Sequence, residues 1–205
     1  MRTFKMKELD RLVDSLAKNR YYVSDTLINN ELVRALKDEA LSRFEVGEFD
    51  QARVGRQLTK RLDQHIRRDK ISWISSDTNE QTNALKEYFS FLNQLKDYLN
   101  PLFYLGIRNY EGHFAFYDTG AFYKKHVDQH RGRGLRRLSV ILYLNDMNDG
   151  DGGEVVLYDF NHHENVLDTI RPKEGRLLIF ISEDLPHEVL TAHMPRLSLT
   201  GWMRA

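Results

Sequence analysis

Three short groups of residues could do chemistry together: His126-Val127-Asp128, His187, and Arg196-Leu197-Ser198. Residues i and i+2 of a strand face the same way, so His126 and Asp128 can offer an imidazole and a carboxylate to one ion. His187 follows Leu185-Pro186 and heads a β-type run. Each group alone has a plain reading. His-x-Asp occurs in ordinary loops, and a strand-head histidine is commonly a satisfied core residue. Arg196 heads the apolar stretch Leu197 to Trp202; read alone, it is an exposed strand-end charge. Jointly the groups say more. Two imidazoles and one carboxylate on one face leave open coordination positions, as in the facial triad of non-haem iron(II) sites. An arginine fork nearby suits a carboxylate, and its permanent charge demands an anion or water. Ser198 lies on the same strand face as Arg196 and could add a hydroxyl.

The elements that must position these residues are legible in outline. Leu9, Leu12, Val13 and Leu16 recur at helical spacing. A second helix is expected from Thr26 to Arg43, with Asp25 as its N-cap. A third is expected from Asn79 to Asn100, limited by Pro101. The polar stretch Val46 to Arg68 reads as a long loop or flap, with a strand at Ile71–Ile74 after it. Beyond Pro101 short β-type runs follow at Phe103–Arg108, His113–Tyr117, Phe122–His126, Arg137–Asn145, Glu154–Tyr158, Val166–Ile170, Arg176–Ile181, His187–Leu190 and Leu197–Met203. Gly- and Asp-rich turns separate them, which predicts a β-sandwich or barrel, specifically a jelly roll. The expected class is α+β. Residues 1–100 form a helical support carrying the 46–70 flap, and 101–205 form the β core, with the helices packed on one sheet.

Composition narrows the function. The chain has 205 residues, enough for one domain with a substantial core. It has no cysteine, which excludes disulfides, thiolate zinc sites, iron–sulfur clusters and a cysteine nucleophile. Formal charge is zero, so no global field draws the protein to nucleic acid or a membrane. No apolar run approaches a membrane span, and the charged start, Met1 to Asp10, lacks the centre of a signal peptide. A cytoplasmic protein is expected. Sequence is silent on its oligomeric state.

Five other histidines carry weaker readings. His130 could extend His126-Val127-Asp128 into a local three-ligand cluster, although the basic Gly-rich run after it suggests that the strand ends there. His162-His163 reads as a solvated turn, His113 as a sandwich residue and His65 as part of the flap. Arg131, Arg133, Arg136 and Arg137, with Arg56, Lys60 and Arg61, make basic segments around the expected mouth. They are either a solvated rim or a docking surface for an acidic protein. No aromatic-interleaved platform for nucleic acid accompanies them.

His126-x-Asp128, His187 and Arg196-x-Ser198 together resemble the motif of iron(II)- and 2-oxoglutarate-dependent dioxygenases. The likeness is strongest to the prolyl hydroxylase domain branch and its bacterial relatives. Ile66-Arg67-Arg68-Asp69-Lys70-Ile71-Ser72-Trp73 resembles an Ile-Arg-Gly-Asp-Lys-Ile-Thr-Trp segment of the oxygen-sensing enzymes, departing at Arg68. Tyr117, Gly120, Tyr123-Lys124-Lys125-His126-Val127-Asp128, Tyr143-Leu144-Asn145, Gly152-Gly153, Arg176 to Phe180 and Pro186-His187-Glu188-Val189 continue the pattern. It runs from about Ile66 to Trp202.

The resemblance implies a double-stranded β-helix with iron(II) held by His126, Asp128 and His187. It implies 2-oxoglutarate anchored by Arg196 and Tyr143, with Ser198, Ile141 and Trp202 around it. Dioxygen would be the second cosubstrate and ascorbate an accessory reductant. Tyr117, Arg67, Asp69 and Arg136 would meet the substrate, Arg67 and Asp69 from a loop closing over it. Asp128 matters chemically, because a small residue there would open a position for halide. The implied reaction is hydroxylation of a proline in a protein or peptide. Some bacterial relatives act on elongation factor Tu, which makes a translation factor a reasonable substrate class by analogy. The alternatives are oxygenation of another side chain or a small molecule, and a non-catalytic metal-binding sensor. A zinc hydrolase lacks an identifiable base.

Overall fold

The computed structural model describes residues 6–53, 62–75, 77, 79–129 and 135–205. Gly55, Arg56, Lys60, Arg61, His130, Arg131 and Arg133 lie outside the described residues. The three-ligand reading of His130 and part of the basic rim fall outside with them.

Three helices and eleven strands are described: α1 (Met6–Asn19), β1 (Tyr21–Ser24), α2 (Asn30–Glu45), β2 (Asp50–Gln51), β3 (Lys70–Trp73), α3 (Asn83–Phe103), β4 (Asn109–Tyr117), β5 (Tyr123–His126), β6 (Arg136–Tyr143), β7 (Val155–Tyr158), β8 (Val166–Ile170), β9 (Leu177–Ile181), β10 (His187–Val189) and β11 (Arg196–Arg204). The strands form two antiparallel sheets. The larger has the order β1-β9-β6-β11-β4-β3-β2, the smaller β5-β10-β7-β8.

Strand alternation explains how the layers stack. On β11, Leu197, Leu199 and Met203 join a core with the helices; on β6, Leu138, Val140 and Leu142 do the same. That core takes in Leu12 and Leu16 of α1, Leu32 and Leu36 of α2, and Leu85, Leu92 and Leu95 of α3. The opposite face of the larger sheet carries Ala115, Tyr117, Ile141 and Tyr143. These pack with Val155, Leu157 and Val189 of the smaller sheet. The central strands are therefore covered on both faces. Period-two placement then sends Arg196, Ser198, Thr200 and Trp202 of β11 away from the helices, toward the second sheet.

The helix ends differ from the sequence reading. α2 begins at Asn30, capped by Asn29, whose side chain accepts from Leu32 N at 2.8 Å. Asp25 caps nothing and holds another element instead. α3 begins at Asn83 under a Thr82 cap and passes through Pro101 to Phe103. Pro101 sits in the last turn, where one lost hydrogen bond is cheap, and Tyr104 ends the helix in the left-handed conformation. The expected strand Phe103–Arg108 is thus helix end and loop. β1 is unanticipated: four residues directly after α1, pairing with β9 from Tyr21↔Phe180 to Ser24↔Leu177. β2 places two strand residues inside the expected flap, against Lys70 and Ile71.

Asp25 closes the α1–α2 connection onto the start of β9. Arg176 donates to its Oδ1 from Nε at 2.8 Å and to its Oδ2 from Nη2 at 3.0 Å; Lys173 reaches Oδ2 at 2.7 Å. The hydrogen bonds from Arg176 lead in outweighing burial, and the Asp25 carboxyl falls from 3.8 to about 2. A depressed carboxyl stabilises the fold above its unfolded pKa and loses that contribution as pH falls through the folded one. The Asp25→Asn protein is therefore expected to unfold about 1 kcal/mol more easily at pH 7, the group being part-exposed. The gap should narrow from about pH 4 and vanish only below about pH 2. Denaturant melts at several pH values measure it; a pH-independent gap contradicts an ionic origin.

Candidate metal and dicarboxylate site

Three elements deliver three ligand-type side chains. His126 ends β5, Asp128 follows it, and His187 begins β10, directly opposite His126 in the ladder. One ligand atom of each lies within 4.8 Å of the others. His126 Nε2 is 3.6 Å from Asp128 Oδ1, and His187 Nε2 is 3.6 Å from Asp128 Oδ2. The tautomers follow from the backbone. His126 Nδ1 meets the Lys124 carbonyl at 2.7 Å and His187 Nδ1 meets that of Leu185 at 3.1 Å. A carbonyl only accepts, so both Nδ1 atoms carry the proton. Both Nε2 lone pairs then face the carboxylate, a donor set that fits a divalent cation.

The surroundings keep these groups in ligating form. Burial and the neighbouring His126 bring His187 down from 6.5 to about 4, so it is neutral at physiological pH. Burial opposes the Asp128 charge, yet His187 and His126 in their protonated form, with the Ser139 hydroxyl, hold its carboxyl far below the usual range, so it is already ionised when His187 sheds its proton. Ser139 donates to Asp128 Oδ2 at 2.6 Å and contacts Ser182 Oγ at 2.8 Å.

Arg196 is 1% exposed. Its Nη1 donates to Ser198 Oγ at 3.1 Å, its Nε has no partner, and no carboxylate pairs with it among the described residues. The guanidinium lies 4.8 Å from the Tyr117 ring centroid and 5.0 Å from that of Tyr143. Tyr143 Oη is likewise buried without a partner. Burial, despite Arg196, raises the Tyr143 phenol, and burial raises that of Tyr117 further, so both stay protonated. A buried cation with idle donors requires an anion. Both features fit a carboxylate.

Triad and arginine share one cavity of about 940 Å³ between the sheets. Ile141, Trp202, Tyr117, Arg67 and Arg136 line it too. Tyr143, Ser198 and Asp69 are buried beside it rather than on its wall. Arg67 and Asp69 form a two-point ion pair at 2.7 and 2.5 Å. Arg67 also lies 4.3 Å over the Tyr123 ring, which stacks on His126 at 3.6 Å and 17°. Arg136 reaches Glu111 at 2.8 Å and covers the Trp202 ring at 3.4 Å.

Several participants lie outside the residues that the sequence marks for a role. Ser139 was legible as the one polar residue in the apolar stretch Leu138 to Tyr143 of its strand. Tyr123, as the stacking partner of His126, and Trp73, on the cavity rim, needed the fold. So did Gly153, at φ +73°, where an added Cβ would stand 2.9 Å from Arg196 Cδ.

Comparison with known proteins agrees with this geometry. The 2OG-Fe(II) oxygenase superfamily pattern matches residues 112–204. A prolyl-4-hydroxylase from Pseudomonas putida is 36% identical, over 94% of this chain and 96% of that one, with a TM-score of 0.82. A Trichoplax adhaerens prolyl hydroxylase, solved with a peptide fragment of the hypoxia inducible factor oxygen degradation domain, is 26% identical over 100% and 94%, with a TM-score of 0.84. A prolyl 4-hydroxylase from Phytophthora capsici, 22% identical over 100% and 67% at a TM-score of 0.74, supports the fold. The two sheets correspond to the double-stranded β-helix of these enzymes. No helix among the described residues is long and apolar enough to cross a membrane.

Proposed function

Because the chain belongs to the 2OG-Fe(II) oxygenase superfamily, in its prolyl hydroxylase branch, we propose that it hydroxylates a proline in a protein or peptide. The observation that carries the reading is the unpaired, buried Arg196 in one cavity with the His126–Asp128–His187 cluster. An enzyme of this family uses iron(II), 2-oxoglutarate and dioxygen. When bound, they supply the redox chemistry that couples 2-oxoglutarate oxidation to insertion of one oxygen atom into a substrate C–H bond. The chain's own residues do the rest. His126, Asp128 and His187 would hold the metal. Arg196 and Tyr143 would take the distal carboxylate of 2-oxoglutarate, with Ser198 fixing the guanidinium. The Arg67–Asp69 pair would hold Tyr123, and Tyr123 the plane of His126. Arg67, Tyr117 and Arg136, on the cavity wall, would meet the substrate.

Incubation with prolyl peptides, among them segments of a translation factor such as elongation factor Tu, tests the reading. The expected result is one oxygen gained on proline, with succinate formed in step. Oxygen on another residue, or succinate formed equally without peptide, would move the assignment to another oxygenase substrate. Gly153→Ala tests the anchor's position. It forces an L-residue into the left-handed region, costing about 1–2 kcal/mol, and presses on Arg196 Cδ. Weaker 2-oxoglutarate binding with unaltered metal binding is expected in titrations; unchanged affinity for both would mean that Arg196 tolerates the intrusion.

A further inference from the structure

The cavity has a second polar end that neither the metal cluster nor Arg196 explains. On β4 and β11, His113 pairs with Thr200 and Glu111 with Trp202. His113 and Trp202 are 3% and 7% exposed, and both line the cavity. His113 Nδ1 and Trp202 Nε1 are both buried without a hydrogen-bond partner. Their rings are 5.6 Å apart, and Trp73 lies 4.9 Å from His113 on the other side. Trp73 is 48% exposed, so this end opens toward solvent. His113, opposite Thr200, and Trp202 stand four and six residues along β11 from Arg196, roughly 13 and 20 Å of extended chain. One small dicarboxylate does not occupy both ends.

The chemistry of the two idle atoms selects their ligand. Leaving such groups dry and unpaired is unfavourable. An indole N–H only donates. Burial, and then Arg67, bring His113 from 6.5 to about 3, so its imidazole is neutral and can accept. Arg136 is already engaged by Glu111. With the proton on Nε2, the pair offers one donor and one acceptor with no net charge, between aromatic faces. A peptide amide presents the complement, a carbonyl and an N–H, whereas a second carboxylate offers only acceptors.

We propose that His113 is a specificity-determining residue, which with Trp202 Nε1 reads one backbone amide of the peptide substrate beside the target proline. The inference rests on the peptide reading above and makes it more specific. Proline has no N–H of its own, so the amide belongs to a flanking residue.

The chain's two tryptophans are Trp73 and Trp202, both on this cavity, so intrinsic emission reports directly on its occupation. Peptides with a central proline, and alanine counterparts, would be titrated into the Mn(II)- and 2-oxoglutarate-loaded protein, each also as a series with one amide replaced by an ester. In the wild type one ester position should weaken binding about tenfold. His113→Leu should weaken the all-amide peptide by a similar factor, remove most of the ester penalty, and leave 2-oxoglutarate affinity within twofold. His113→Gln keeps a hydrogen-bonding group and should recover part of the affinity; it also serves if the leucine variant folds poorly. An undiminished ester penalty in both variants, parallel loss of 2-oxoglutarate affinity, or lowered thermal stability alone (a buried water only) would overturn the inference. So would no emission change with any peptide. The prolyl reading is judged separately by mass: proline and alanine peptides bound alike with no oxygen gained sinks that reading, whatever His113 does.

Discussion

Arg196→Ala is expected to lower 2-oxoglutarate affinity by two orders of magnitude or more while metal binding survives. Arg196 is among the largest fully buried side chains, and among the described residues only Ser198 accepts a hydrogen bond from it. Breaking a buried charge pair by removing one partner costs about 3–5 kcal/mol, because the other charge is left without compensation. At about 1.4 kcal/mol per tenfold, the loss is about 10² to 10³·⁵ in affinity. The His126–Asp128–His187 cluster lies at β5 and β10 and Arg196 heads β11, with no hydrogen bond or ion pair between them, so metal affinity should change little. Arg196→Lys keeps the charge and loses the two-pronged fork, and it should fall between. Anaerobic titration of the iron(II) protein, following the visible charge-transfer band of the 2-oxoglutarate chelate, measures all three proteins. Equal affinity in Arg196→Ala and wild type would remove Arg196 from the anchor role. The unliganded variant should be no less stable than wild type, since an isolated buried cation is itself unfavourable.

The same side chain shows what a sequence can disclose. An arginine heading an apolar strand is conspicuous because it cannot shed its charge, so Arg196 was visible as a question before any fold existed. Exposure, its plain reading, failed because both faces of the larger sheet are covered. Ser139 was similarly visible as one polar residue in an apolar run. The features that stayed hidden depend on contacts between distant segments. Asn29 rather than Asp25 caps α2 because Asp25 is taken by Arg176 and Lys173, some 150 residues away, where local propensity has no view. β1 is four residues long and leans on β9 for definition. Pro101 breaks helices in general, but position within the last turn lowers that cost, and helix ends are poorly defined by sequence. His113 read as a sandwich residue, and it is one. Its unpartnered nitrogen becomes visible only when β3, β4 and β11 bring Trp73 and Trp202 to either side.

Asp128→Asn is expected to separate stability from function by changing sign with metal. Without a cation, the Asp128 carboxylate and two Nε2 lone pairs converge within 4.8 Å, and Asp128 and His187 are buried. Three acceptors in one buried pocket repel each other, and the Ser139 hydroxyl satisfies only one of them. An asparagine keeps the volume, removes the charge and offers an N–H to an imidazole nitrogen. The metal-free variant should therefore melt at or above the wild-type temperature. With metal the order should reverse. A ligand at a hundred times its Kd adds about 2.7 kcal/mol to the folded state. At about 2–4 °C per kcal/mol for a chain of this length, that is a rise of about 5–11 °C in wild type. The variant has lost its anionic ligand and should show little of it. Thermal melts at pH 8 with and without Mn(II), which keep His187 neutral and avoid turnover, read both signs. A metal-free variant well below wild type would mean that Asp128 serves the fold through contacts other than this cluster. An equal metal-induced rise in both proteins would mean that the ion sits elsewhere. The expected crossing identifies the cluster as a place where the fold carries electrostatic strain that a cation relieves, and Ser139 and Ser182 as the contacts that let it persist until the cation arrives.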